Sequence, residues 1–153
     1  MSTAKVIDLH SLLPQFEKAL RSPVSTIWLS YLAEWVEVVI SRCELITAHA
    51  NGALKELRLI AQKSPIRALK EGEKFRAALE ERDKLEASLG TADCGDLFDL
   101  NIAAYELAHK FWKLHRELAI VNGQVPKAYR NGNARWDRKH PKPCSTFHDD
   151  YIL

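Results

Sequence analysis

Apolar residues recur through most of this chain at spacings of three and four, the period of a helix that buries one face. The first segment of this kind has a stripe formed by Leu9, Leu13, Phe16 and Leu20. Ser22-Pro23 then interrupts the pattern, and proline is favoured at the first position of a helix. The pattern therefore predicts a short first helix and a second helix that begins just after Pro23.

The second segment, from about Val24 to His49, is the most apolar part of the chain. Its main stripe consists of Trp28, Leu32, Trp35, Val39, Cys43 and Ile46. A second apolar face lies beside this stripe, and a helix that is apolar over more than one stripe is usually central. Asn51-Gly52 should end the helix, because both residues tolerate the left-handed conformation. A short amphipathic piece then carries Leu54, Leu57, Ile60 and Ala61.

Two further helices are predicted before the pattern stops. Ser64-Pro65 begins one that runs to about Leu89 and stops at Gly90, and its thin apolar face predicts a peripheral position. The last helix ends at Gly123. It has the most regular stripe in the chain, formed by Leu97, Leu100, Ala104, Leu107, Phe111, Leu114, Leu118 and Val121. This heptad-like stripe predicts packing nearly antiparallel to the second helix.

The segments together predict an all-α fold. We expect an antiparallel helical bundle of four or five helices over residues 1–123, followed by an irregular basic C-terminal arm over residues 124–153, either part of the same domain or a flexible tail. No sustained alternation of apolar and polar residues predicts a strand. A length of 153 residues suits one domain, and a composition of 46% hydrophobic and 27% charged residues is ordinary for a globular protein.

Positive charge is concentrated in the arm. Residues 1–126 hold 16 Lys/Arg and 17 Asp/Glu, whereas residues 127–142 hold six Lys/Arg and a single acid, Asp137. Such cations neutralise phosphates, and aromatic rings among them stack on unpaired bases. We therefore predict a binding segment formed by Lys127, Tyr129, Arg130, Arg135, Trp136, Arg138 and Lys139. The alternative is an arm that folds back over the bundle, with Trp136, Phe147 and Tyr151 as hydrophobic pegs.

The cysteines and the apolar segments indicate the cellular location to expect. Cys43, Cys94 and Cys144 are odd in number and far apart, which favours thiols in a reducing cytosol over a disulfide framework. The first 20 residues contain acids and a proline where a signal peptide needs an unbroken apolar run. Glu34, Glu37 and Arg42 interrupt the longest apolar stretches, so no segment is predicted to span a bilayer. We expect a cytoplasmic protein with no membrane partner.

One group of residues in the arm suggests metal binding. His140, Cys144 and His148, with Asp149 beside them, are all residue types that bind zinc. Their spacing fits no zinc-finger pattern, and the intervening prolines predict an extended segment. A solvent-facing loop without metal is the alternative.

A second group suggests nucleic-acid chemistry. Arg135 and His140 are separated by four residues, which resembles the arginine–histidine motif of HEPN-type ribonucleases, a family of small helical bundles. The resemblance covers six residues. It implies that Arg135 and His140 act on a phosphodiester in a cleft between two subunits. In that family the motif lies at a helix, whereas the Asn-Gly before it and the Pro-Lys-Pro after it argue against a helix in this chain.

The remaining motifs disfavour an enzyme. His109 and His115 are six residues apart and do not share a helix face, and Glu106-x-x-His109 is a single copy of a motif that di-metal bundles need twice. The sequence has no Gly-rich phosphate loop, GxSxG or HExxH. We therefore predict a non-catalytic regulator, inhibitor or adaptor without a cofactor, which binds another protein through surface anchors such as Trp28, Trp35 and Trp112.

Two alternative functions remain open on the sequence. One is DNA or RNA binding through the basic arm, and the other is a HEPN-like ribonuclease that uses Arg135 and His140. The heptad-like stripe of the last helix also leaves two interpretations, a homodimer interface and a purely intramolecular core.

Overall fold

The computed structural model describes residues 26–90, 96–126 and 134–143, with side chains described from residue 34 onward. These residues form three long helices, α1 (Thr26–Lys63), α2 (Pro65–Gly90) and α3 (Leu97–Val121), and one short helix, α4 (Arg135–Lys139). The predicted all-α class is confirmed, since the described residues contain no strand. The predicted first helix lies outside the described residues. None of the described helices combines the length and apolarity needed to cross a membrane.

Helix α1 is longer than the sequence pattern predicts. It passes through Asn51-Gly52 without interruption and continues to Lys63, so the predicted end at Asn51-Gly52 is wrong. Gly52 does not adopt a positive φ, which a helix-ending glycine would show. The apolar stripe continues across this point and remains in the core through Ala50, Ala53, Leu57 and Ile60. Burial of this stripe outweighs the small cost of one glycine inside a helix.

Helices α1 and α2 meet at a one-residue junction. The backbone N–H of Ser64 donates to the carbonyl of Ile60 over 2.8 Å, and Pro65 is the first residue of α2, as predicted. Helix α2 buries few of its residues: Phe75, Ala78, Arg82, Leu85 and Leu89. This thin buried face places α2 at the edge of the bundle.

Helix α3 confirms the most regular stripe in the sequence. Seven of its eight predicted positions, from Leu97 to Leu118, are buried in the core. Gly123 follows the helix with a φ of 77°, and its N–H donates to the carbonyl of Ile120 over 3.0 Å. The helix therefore ends as predicted, at a glycine in the left-handed region.

The three long helices pack as an up–down–up bundle. Contacts between α1 and α3 follow the same order along both helices, from Trp35 with Phe98 to Glu56 with Asn122, so the two helices are parallel. The predicted antiparallel packing of these two helices is wrong. Only one long helix, α2, lies between them in the sequence, and α2 itself runs antiparallel to its neighbours.

A row of buried polar side chains lies between α1 and α3. Arg42, His49 and Glu56 are spaced by seven residues on α1, and all three are buried. Each bonds to a polar residue of α3 or of the turn that follows it. The α3-side partners are Asn101 for Arg42, His115 for His49, and Asn122 with Gln124 for Glu56. We call this row the polar seam.

Candidate functional site

Residues 134–143 of the arm pack against the bundle. Ala134 and Trp136 are buried in a small apolar cluster with Trp112, Ala119 and Val125, separate from the main core. The cluster lies against the C-terminal half of α3. The folded-back alternative is therefore the arrangement of this part of the arm, and Trp136 is its hydrophobic peg.

Polar contacts fasten the same segment. Arg116 on α3 donates to Asp137 through Nε over 2.5 Å and through Nη2 over 3.1 Å. These hydrogen bonds lower the pKa of the Asp137 carboxyl below its ordinary value. The indole N–H of Trp112 donates to the carbonyl of His140 over 2.7 Å, and Lys142 Nζ lies 5.4 Å from the centroid of the Trp112 ring. Two residues of α3 thus hold the middle of the segment, at Asp137, and its C-terminal part, at His140 and Lys142.

The segment from Arg135 to Lys139 is a helix, α4, which contradicts the expectation that Asn-Gly and Pro-Lys-Pro exclude one. The N–H of Arg138 donates to Ala134, and the N–H of His140 donates to Trp136. The first proline follows His140, after the helix has ended, so it removes none of these bonds. Burial of Trp136 and Asp137 provides the tertiary contacts that so short a helix requires.

Three histidines from three elements meet where α4 ends. His49 Nδ1 lies 3.0 Å from His115 Nδ1, and the ring centroids of His115 and His140 are 5.3 Å apart. Trp136 stacks on His140 with its ring centroid 4.2 Å away, and its edge contacts His115 at 4.9 Å. We call His49, His115 and His140 the histidine cluster. It connects the polar seam of the bundle to the arm.

Hydrogen bonds and burial together determine which nitrogens of the histidine cluster carry protons. Because His140 Nδ1 lies 2.9 Å from the carbonyl of Trp136, this nitrogen donates the bond. Between His49 and His115, one Nδ1 donates and the other accepts, so at most one of these two atoms carries a proton. Burial lowers the pKa of both His49 and His115 to about 4, and the neighbouring histidines add to the effect. Both rings are neutral near pH 7.

The predicted binding residues fall into three groups. Trp136 is buried against the bundle, whereas Arg135, Arg138 and Lys139 are exposed on the outer side of α4. The rest of the predicted set, Lys127, Tyr129 and Arg130, lies outside the described residues, as do Phe147 and Tyr151. Arg135, Arg138 and Lys139 thus form an exposed cationic face on α4, and the buried Trp136 holds α4 against the bundle.

The zinc-ligand residue types noted in the arm fall only partly within the described residues. His140 belongs to the histidine cluster, and Cys144 and His148 lie outside the described residues. Within the described ranges, no group of three or more His, Cys, Asp or Glu residues is arranged to hold a metal ion.

The two residues of the ribonuclease resemblance lie at opposite ends of α4. Arg135 is exposed at its first position, and His140 is half-buried just after its last. The ring of His140 faces His115 and Trp136. In the part of the chain that the structure describes, no hydrogen bond or ring contact joins Arg135 to His140.

His49 is the residue of this site that was not considered from the sequence, and His115 was considered only together with His109. His49 continues the apolar stripe of the second segment by three residues beyond Ile46, and His115 lies four residues after Phe111 on α3. The position of each histidine on an apolar stripe is the signal in the sequence that indicates burial. The pattern of neither helix, however, predicts which histidines contact each other.

A second surface lies at the junction of α1 and α2. Ile66 and Leu69 are 82% and 74% exposed, and Leu69 borders an apolar groove with a volume of about 430 Å³. The groove is lined by Leu57, Arg58, Ala61, Pro65, Ala68 and Leu69. The stretch of chain that lines it, residues 55–70, also carries five exposed basic residues: Lys55, Arg58, Lys63, Arg67 and Lys70. We call the groove, Ile66 and these cations the junction surface.

The tryptophans predicted as anchors contribute to packing where they are described. Trp35 is half-buried, with its ring centroid 5.5 Å from that of Phe98, and Trp112 supports the arm. The side chain of Trp28 lies outside the described residues.

No family model, curated protein or solved structure matches this chain.

Proposed function

We propose that this protein is a small non-catalytic interaction protein, a regulator, inhibitor or adaptor that acts by occupying a surface of another macromolecule. The observation that supports this function is the exposure of Ile66 and Leu69 beside an apolar groove. Single exposed aliphatic residues are common on protein surfaces, but a contiguous apolar patch with a polar rim is typical of an interaction site.

Ile66 and Leu69 do not belong to the core of the described residues. The core of the described residues is formed by other positions of α1, α2 and α3, and it includes the neighbouring Leu57 and Ile60. Ile66 and Leu69 lie three residues apart on α2, so they project from one side of the helix. Two large aliphatic residues left in water beside a groove are therefore best explained by a partner that covers them.

Site-specific photo-crosslinking in the source cell tests this function. A photoreactive amino acid replaces Leu69 in one variant and Glu86, an exposed residue elsewhere on α2, in the control. We expect a discrete crosslinked product from position 69 and none of the same mass from position 86. The proposal is wrong if position 69 gives no product or if both positions give the same products.

A second candidate function is nucleic-acid binding by the arm. It is supported by the exposure of Arg135, Arg138 and Lys139 on a helix that Trp136 and Asp137 fasten to the bundle. A fixed row of cations can contact successive phosphates without first having to be ordered. With three cations, we expect weak binding that depends strongly on salt.

Binding to single-stranded and duplex nucleic acid at low and moderate salt tests the second candidate. We expect binding at low salt that is lost when Arg135, Arg138 and Lys139 are all changed to Ala. The matched control is Lys74, Arg76 and Lys84 changed to Ala, three exposed cations of α2 outside the junction surface. Absence of binding at low salt, or equal loss in both triple variants, excludes the arm as the site. RNA cleavage that disappears in His140→Ala would instead support the HEPN-like alternative.

A further inference from the structure

We propose that the junction surface binds an acidic amphipathic helix presented by a partner protein. This inference rests on the proposed function and names the kind of partner that the surface fits. The partner helix would place two or three aliphatic side chains in the groove and its carboxylates near the exposed cations of residues 55–70, a common mode of helix recognition.

The charge of the junction surface favours an acidic partner. Between Lys55 and Lys70 the chain has five Lys/Arg and a single acid, Glu56. The carboxylate of Glu56 is buried and accepts hydrogen bonds from Asn122 and Gln124, so it does not neutralise the rim. Among the described residues, no ion pair involves any of the five cations. The surface therefore attracts a negatively charged segment.

The apolar lining of the groove favours a helix as the partner. Apart from Arg58, all its lining residues are apolar and aliphatic, contributed by the last turns of α1 and the first turn of α2. An open aliphatic groove between two helix segments can accept the ridge of side chains that a third helix presents at i, i+3 and i+4. Ile66 and Leu69 then extend the apolar contact beyond the groove.

Other occupants fit less well. A second copy would bring the same five cations face to face, and like charges across an interface are costly. Nucleic acid would find no aromatic ring for base stacking among the lining residues. Residues 1–25 of this chain are amphipathic, but they contain three Lys/Arg and two Asp/Glu and therefore carry no net negative charge.

Fluorescence anisotropy with designed peptides tests the proposal on the full chain. The probe is a helical peptide of about 18 residues, roughly five turns, with Leu at i, i+3, i+4 and i+7 and Glu at most other positions. One control peptide replaces Glu by Lys, and another replaces Leu by Ala. We expect the Leu/Glu peptide to bind at least about tenfold more tightly than either control.

Variants of the protein identify the surface involved. Leu69→Asn and Ile66→Asn change exposed residues and leave the fold intact, which circular dichroism verifies, and each should weaken binding about tenfold. Lys63→Glu combined with Arg67→Glu should do the same. Lys84→Glu, at an exposed position further along α2, should leave the affinity for the peptide unchanged.

Three results would overturn the proposal. Equal binding of the Leu/Glu and Ala/Glu peptides would show attraction by charge alone. Preferential binding to vesicles with anionic lipids, lost in Leu69→Asn, would assign the surface to a membrane. A crosslinked product from position 69 without binding of the Leu/Glu peptide would leave the interaction function in place and exclude an acidic helix as the partner.

Discussion

The imidazole of His115 occupies the space that a side chain at Gly52 would need. A Cβ placed on Gly52 would overlap the ring atoms of His115. The absence of a side chain at this position allows α3 to bring His115 within 3.0 Å of His49, one helical turn earlier on α1. Gly52 therefore serves the contact between two helices and does not end the helix in which it lies.

Gly52→Ala should destabilise the protein by about 1–3 kcal/mol, because the added methyl group displaces a buried ring. The matched control is Gly72→Ala, also inside a helix, where an added Cβ meets no atom within 4 Å. That change should stabilise the protein by about 0.5–1 kcal/mol through helix propensity. Urea denaturation of both variants measures the two free energies. The same sign of change for both would contradict the proposed role of Gly52.

The histidine cluster should make the fold sensitive to mild acid. The pKa of His49 and of His115 is about 4 in the folded protein, below the ordinary value of 6.5. The unfolded chain therefore binds more protons between pH 6.5 and pH 4, and the free energy of unfolding falls as pH is lowered through this interval. Between pH 7 and pH 5 we expect a loss of about 2–4 kcal/mol.

Urea denaturation at pH 7, 6 and 5 measures this loss. His115→Asn removes one of the two titrating rings, so its stability should change less steeply with pH than that of the parent protein. Asp137 does not act in the same interval. Its pKa is lowered by Arg116, so its contribution is present above its ordinary pKa of 3.8 and is lost only as pH falls below that value. An unchanged free energy between pH 7 and pH 5 would show that His49 and His115 are not held neutral.

The ion pair between Arg116 and Asp137 should stabilise the packing of residues 134–143 against α3. The two side chains are 14% and 5% exposed, and removal of one partner leaves a poorly solvated charge. Asp137→Ala should therefore lower the free energy of unfolding by about 3 kcal/mol and increase amide hydrogen exchange of residues 134–140. Glu81→Ala breaks the exposed pair with Lys110, at 47% and 54% exposure, and should cost less than about 1 kcal/mol. Equal losses of unfolding free energy in the two variants would show that burial does not strengthen the ion pair between Arg116 and Asp137.

Cys43 should be unreactive in the folded protein. The thiol is buried, and burial, with a smaller effect of Glu44, raises its pKa to about 12. The thiolate is the reactive form, so alkylation by iodoacetamide at pH 8 should be more than about 100-fold slower in the native protein than in urea. Mass spectrometry of the peptide that contains Cys43 follows the reaction. Comparable rates in both states would indicate that α1 opens readily.

The periodicity of apolar residues was enough to predict the long helices but not their relationship. The stripe of α3 is buried almost as predicted, because a helix of this length hides a continuous apolar face whatever it packs against. Asn51-Gly52 misled the prediction of the α1 boundary, because a local preference for helix termination is weaker than burial of the stripe on both sides. Whether α1 and α3 run parallel depends on which segments pair, and periodicity contains no such information.

The candidate sites were predictable to different degrees. Trp136 stands out as a large apolar residue among charges, which is enough to predict that it packs against the bundle as a hydrophobic peg. The histidine cluster was not predictable, because its three members come from distant segments and meet only through tertiary contacts. The junction surface was hidden by the near-neutral total charge of the first 126 residues, since the acids that balance its cations lie elsewhere in the chain.

The polar seam also determines which alignment of α1 and α3 this sequence can adopt. A slip of α3 by one helical turn, about 5.4 Å, would separate Arg42, His49 and Glu56 from their partners at the same time. Apolar stripes alone would tolerate such a slip, because their residues are nearly interchangeable from turn to turn. The three pairs also differ in kind, with a cation, a neutral ring and a carboxylate in order along α1, so no shifted pairing satisfies them. The polar seam therefore favours the observed register of α1 and α3 over neighbouring registers. It thereby also fixes the position of α3, against which residues 134–143 of the arm pack.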